Sequence, residues 1–217
     1  MHRTEGEYNS SNLFVDGPPG TRVEEDWLNA VQEELANVIE GAGITLKTAS
    51  TETRDQLNAA IAALVKPKII QIVETNVSSV ATGSTAFPVD DTIPQNTEGT
   101  EFITLSITPQ KATNKLRIDV IWNGSATGTN TNIGMGLFQD STANALAAVL
   151  APKNDTSTSV SQIQLSHYMT AGTTSVTTFK IRVGDNSGNT ITFNGVSGGR
   201  IFGGIMSSSI IITEFEM

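Results

Sequence analysis

The chain has 217 residues, 16% of them charged, a net charge of −9 and no cysteine. That length can hold one ordinary core with an appendage. The absence of cysteine excludes disulfide frameworks, thiolate metal sites and thiol chemistry, and an acidic chain without a basic run is unsuited to nucleic acid or an anionic membrane surface.

Residues 1–11, MHRTEGEYNSS, are polar and are expected to be flexible. They lack the apolar core of a secretion signal, and no apolar run reaches the roughly 20 residues of a membrane-spanning helix. The expectation is synthesis in a cytoplasm and no membrane insertion. Pro18, Pro19 and Gly20 then form a rigid turn. Thr21 can cap a helix, with Glu24 completing a capping box, and Glu24, Glu25 and Asp26 suit the positive end of the helix dipole. Leu28, Val31, Leu35, Val38 and Ala42 repeat at spacings of three and four. This heptad stripe is too narrow and short to hold a lone helix in water. Gly41 and Gly43 mark its stop. The pattern predicts a helix from about Val23 to Glu40 that needs a partner surface, and the nearest candidate is its own copy on another chain. A second helix should start near Thr53, with Gln56 in another capping box and an apolar stripe of Leu57, Ala60, Ile61 and Leu64. Pro67 ends it. The helices either pair as an intrachain hairpin or bundle about a three-fold axis. In the second arrangement Leu28, Val31, Leu35, Val38, Leu57, Ile61 and Leu64 form the trimer interface.

Composition changes near Pro67. Up to Lys68 there are 17 charged residues among 68, and from Ile69 onward 18 among 149. The expected organisation is a flexible terminus over 1–11, a helical segment over 12–68 and a β-domain over 69–217. In the last, the apolar period becomes two. Ile70 and Ile72 alternate with polar or opposite-facing neighbours, as do Ile103, Leu105 and Ile107; Ile118, Val120 and Trp122; Ile163, Leu165, His167 and Met169; and Phe179, Ile181 and Val183. Ile191 and Phe193 make a short strand. Ile210 to Phe215 makes the last, with both faces apolar enough to be covered. Turn clusters are expected at Asn123-Gly124-Ser125, Gly128 to Asn132, Asn154 to Ser159, Asp185 to Asn189 and Gly195 to Gly199. The fold class is α+β: two helices followed by an antiparallel β-sandwich of jelly-roll type.

The N-terminal third resembles a segment of bacteriophage tail-fibre and related virion-fibre proteins. The matching residues are Asp16-Gly17, Pro19-Gly20-Thr21, Trp27 to Glu34, Ala42-Gly43-Ile44 with Leu46, and Gln56-Leu57 with Ala60-Ile61. The C-terminal SSSIIITEFEM is similar, more weakly, to the ends of phage fibre tip domains. The resemblance implies a non-enzymatic virion protein, a trimeric tail fibre or fibre tip. Its N-terminal segment would meet other virion proteins, and its β-domain would meet a host cell-surface receptor, including a glycan. A head fibre or capsid-decoration protein is the alternative within the virion. A glycan-binding or glycan-cleaving domain is the alternative outside it.

Little in the β-domain points to catalysis, and no cofactor is implied. His167 shares a strand face with apolar residues and reads as a packed histidine. Asp185, Ser187 and Asn189 weakly echo a calcium loop but lack the closing Glu. The glycine pairs at Gly198-Gly199 and Gly203-Gly204 lack the Lys-Ser/Thr of a phosphate loop and read as turns. Trp122 is expected in the core, and Tyr168 is the more credible exposed aromatic. Recognition is expected on loops, at Gly128, Thr129, Asn130, Asn132, Asn154, Asp155, Asp185, Asn186 and Asn189.

Overall fold

The computed structural model describes residues 9–10, 13–14, 25–47, 55–65, 69–129, 131–152 and 159–216. The chain divides into two compact units, Met1–Lys66 and Pro67–Met217. The Pro18–Gly20 turn, the Thr21 and Thr53 caps and the Pro67 stop lie outside the described residues.

In the first unit, β1 (Asn9–Ser10) pairs antiparallel with β2 (Leu13–Phe14), so the boundary expected at residue 11 falls between two paired strands. Helix α1 spans Glu25–Gly41. Its end is chemically defined. Gly43 takes φ 75°, its N–H donates to the Glu40 carbonyl (2.8 Å), and the Ile44 N–H reaches back to Ile39 (3.2 Å). This is a Schellman stop, which favours glycine because a Cβ disfavours that φ. Helix α2 spans Gln56–Leu64. Gln56 corrects the capping-box expectation. Its side chain is buried and bonds the connection between the helices, accepting from the Lys47 N–H (3.1 Å) and donating to the Thr45 carbonyl (2.8 Å). Among the described residues of this unit, Ile39 and Ala60 are the buried apolar ones. Leu28, Leu35, Val38, Ile61 and Leu64 stay exposed, while Val31 and Leu57 are half-buried. The intrachain contact leaves most of the stripe uncovered.

The second unit is two antiparallel sheets. The first contains β3 (Ile69–Val77), β14 (Ser208–Phe215), β6 (Lys115–Ala126) and β9 (Val160–Thr170), in that order. The upper end of β6 also pairs with β11 (Ile191–Phe193), which pairs with β4 (Ala81–Gly83). The other sheet runs β5 (Thr100–Ile107), β10 (Thr177–Asp185), β7 (Asn132–Gln139), β8 (Ala147–Pro152). A small ladder of β12 (Gly195–Val196) and β13 (Gly199–Arg200) leads into a 3-10 turn at Phe202–Gly204. Side chains of both sheets meet in one core that includes Ile103, Ile118, Trp122, Leu137, Phe179 and Ile212. Alternation on β5, β6, β9 and β10 follows the sequence pattern, because each has one face on this core.

Three strand expectations need correction. Ile72 does not face inward: Val73 and Val77 pack against the core and Ile72 is exposed. Asn123-Gly124-Ser125 is not a turn, since β6 continues through it to Ala126. Strands β7 and β8 were not foreseen. All of residues 133–138 in β7 are buried; Ile133, Met135 and Leu137 alternate, but with Gly134 and Gly136 between them where a half-exposed strand would carry polar residues. The cause is a cover on the outer face. The segment between β4 and β5 crosses it, with Phe87 buried close to Gly134 and Gly136. The last strand, β14, lies centrally between β3 and β6. Ile210 and Ile212 are in the core, and Ile211 is half-covered on the other side.

Candidate functional site

Strand registers determine which loops share an end of the second unit. In the first sheet Ile191 lies opposite Ala126, Val160 opposite Ser125, and Ser208 opposite Val77. In the second, Asp185 lies opposite Ile133 and Pro152 opposite Asn132. Connections 78–80, 186–190 and 194–207 therefore leave from one end, where β6 ends at Ala126 and β8 at Pro152. Ile69, Phe215, Lys115 and Thr170 are neighbours at the other.

Two of the predicted recognition loops are joined there. The Thr127 N–H donates to the Thr190 carbonyl (2.9 Å), and the Thr190 N–H to Thr127 Oγ1 (3.2 Å). The Asn132 N–H donates to Asn186 Oδ1 (3.4 Å), and Gly128 lies against the Asn189 amide. Gly128, Thr129, Asn186 and Asn189 thus form one surface of amide and hydroxyl groups. Asn130, Asn154 and Asp155 lie outside the described residues. Two assignments are corrected. Asp185 is fully buried: its Oδ1 accepts from the N–H groups of Ser187 (3.0 Å) and Asn189 (2.7 Å), and its Oδ2 from Asn189 Nδ2 (2.6 Å). The carboxylate caps its own turn, so it presents nothing outward and both oxygens are engaged. Asn132 is the first residue of β7 and is half-buried, not a loop tip. Among the described residues no group of three or more His, Asp or Glu could hold a metal ion.

Trp122 is fully buried. His167 is half-buried on the core-facing side of β9, and desolvation pushes its imidazole below the ordinary value. Tyr168 is exposed on the outer face. The Arg117 guanidinium lies 5.6 Å from its ring centre and pairs with Asp119 at 2.7 Å. That cation covers part of the face a ligand would use.

The turn expected at Gly195 to Gly199 lies in the β12–β13 hairpin; what sequence reasoning missed is the exposed apolar pair that follows it, Phe202 and Ile205. Asn194 anchors the root of this segment: Nδ2 donates to the Val77 carbonyl (2.7 Å), and Oδ1 accepts from Ser208 Oγ (2.7 Å). Ser208 Oγ in turn accepts from the Asn123 N–H (2.8 Å). On this base Phe202 is 71% exposed and Ile205 83% exposed. Phe202 also has φ 51°, an uncommon conformation for a bulky side chain. Arg200 is the only charged residue between Asp185 and Glu214, and nothing in the sequence marks Phe202 and Ile205 as exposed.

No family model matches the chain, and no curated protein matches it. Among solved structures it is similar to infectious bursal disease virus Gt strain, at 10% identity and TM-score 0.34, over 68% of this chain and 38% of that one. It is similar to dimeric latent PorU from Porphyromonas gingivalis at 9% identity and TM-score 0.32, over 68% of this chain and 13% of that one. For bacteriophage CBA120 tailspike protein 4 the figures are 17% identity, TM-score 0.24, and 57% and 18% of the two chains. The chain spans well under two thirds of each, and superpositions this loose carry no argument about its activity.

Proposed function

We propose that this chain is a non-enzymatic structural protein of a bacteriophage virion, a trimeric tail fibre or fibre tip that contacts a host cell-surface receptor. The observation that carries the reading is the gathering of hydroxyl- and amide-rich loops at the end of the β unit away from Ile69, where the chain enters it. Residues 12–68 attach to other virion proteins and trimerise. The β unit is a jelly roll whose far loops face outward. The order β3-β14-β6-β9 over β5-β10-β7-β8 supports that architecture, because the chain crosses between the sheets at β3–β5–β6–β7 and again at β8–β9–β10–β14, with β7 and β8 paired as a hairpin between the two runs. The exposed stripe of Leu28, Leu35, Val38, Ile61 and Leu64 supports the trimer, since the helix pair buries other residues. Neutral, weakly charged loops suit hydrogen bonding to sugars or protein backbone, and three copies multiply a weak contact.

Electron microscopy of virions labelled with antibody against the β unit should place the label at the free ends of fibres. Label on the capsid shell would replace this reading with a head-decoration role. Light scattering of the full chain should give three times its 23.0 kDa. Leu35→Asp should shift that mass toward the monomer by placing charges in an apolar seam. An unchanged mass and melting temperature would remove Leu35 from the interface.

A further inference from the structure

The sandwich carries an apolar knob on one flank, at the loop end, and an apolar groove along the other, which runs from Leu150 near that end down to Ala145 at the β7–β8 connection. The knob is Phe202 and Ile205, beside Ser78–Val80 at the end of edge strand β3. The groove lies along edge strand β8, between it and the covering segment that carries Phe87. Two adjoining hollows of about 240 and 440 Å³ share Asp90, Thr92, Pro94 and Ala148, with exposed Val89, Ile93 and Leu150 around them. β9 lies beside β8 and β3 beside β5, so the two sheets run in the same sense across the sandwich. Knob and groove are therefore at opposite edges and cannot meet within one chain.

We propose that the knob of each chain seats in the groove of the next copy, closing a head-to-tail ring around the axis of the trimer. The inference rests on the homotrimer reading and names the surfaces that the β units use within it. Charge supports a second copy as the occupant. The knob has one charge, Arg200, and the groove's rim has Asp90 and Asp91, so seating brings opposite signs together. Placement supports it as well, because different patches on opposite flanks make a heterologous contact, which closes into a ring when the rotation allows. Both partners are held in shape before they meet. The knob stands on the Asn194–Ser208 network. The groove's covering segment is tied down by the Phe87 N–H to the Asp185 carbonyl (2.8 Å) and the Ala145 N–H to the Pro94 carbonyl (2.9 Å). Preorganisation of this kind lowers the cost of association.

The natural chain has no cysteine, so engineered pairs report without background. Full-length Ile205→Cys/Leu150→Cys and Phe202→Cys/Ile93→Cys are oxidised mildly and run on non-reducing gels, with light scattering of the same samples. Covalent trimers from either pair are the expected result. Trimers by scattering with no cross-link from either pair would overturn the ring while leaving the helical trimer standing. Monomers by scattering in the unmodified chain would overturn the trimer reading itself, and the ring with it. In a second arm, Arg200→Glu should weaken association of the chain at least tenfold, and adding Asp90→Arg and Asp91→Arg should recover most of it. Loss without recovery would argue against pairing between these groups.

Discussion

Replacing Glu214 by alanine should destabilise the β unit by about 3 to 5 kcal/mol, because the carboxylate is the acceptor for four donors at the closed end of the sandwich. Glu214 is fully buried on β14. Its Oε1 accepts from Asn114 Nδ2 (2.6 Å) and the N–H groups of Gln110 (2.8 Å) and Lys111 (3.4 Å); its Oε2 accepts from Gln71 Nε2 (2.5 Å). These bonds tie the last strand to β3 and to the β5–β6 connection. Removal leaves these four donors without their acceptor. Burial by itself raises this carboxyl, but the bonds from Gln71, Asn114, Gln110 and Lys111 outweigh it, and the group is held below its ordinary value. A carboxyl depressed on folding stabilises above its unfolded pKa, and that contribution disappears as pH falls through the folded value. Glu214→Gln keeps the shape without the charge. Urea unfolding of the two proteins should therefore differ at neutral pH, and the difference should shrink once the pH drops below the usual carboxylate range. A gap of equal size at pH 7 and pH 3 would contradict a charged Glu214.

The parts of the fold that were legible in the sequence are those with one covered face. Ile118, Val120 and Trp122, or Phe179, Ile181 and Val183, alternate because solvent or a half-exposed layer lies on their far side. Strand β7 escaped because the segment carrying Phe87 buries its second face, and Gly134 and Gly136 read locally as turn residues. Glu214 also escaped. In a strand sequence a glutamate signals solvent, and only contacts from residues about 100 positions away identify it as an internal acceptor. At the candidate site the loop residues Gly128, Asn186 and Asn189 were recognisable from turn composition, whereas the burial of Asp185 depends on how its turn folds back. Phe202 and Ile205 were hidden by the opposite bias. Apolar residues among glycines suggest packing, and their exposure follows only from where the Asn194–Ser208 network plants the loop.

Phe87→Ala should lower stability by about 3 to 5 kcal/mol, the usual cost of emptying a buried aromatic site. For a unit of this size that is a fall in melting temperature on the order of 10 °C. Phe87 is buried outside the main core, on the outer face of the sheet containing β7. It fits because Gly134 has no side chain: a Cβ there would come within 2.4 Å of Phe87 Cδ1. Gly134→Ala should therefore cost about 1 to 3 kcal/mol through overpacking. The two changes act on one contact. In the double variant the new methyl enters space vacated by the ring, so its loss should be smaller than the sum of the single losses. Calorimetry of all four proteins closes that cycle, and additive losses would show that the residues do not oppose each other. The same pair bears on assembly. Phe87 anchors the wall of the groove beside Val89 and Ile93, so Phe87→Ala should also weaken association of a chain that remains folded. A variant that melts early yet keeps its trimer affinity would separate the role of this segment in stability from any role in the ring.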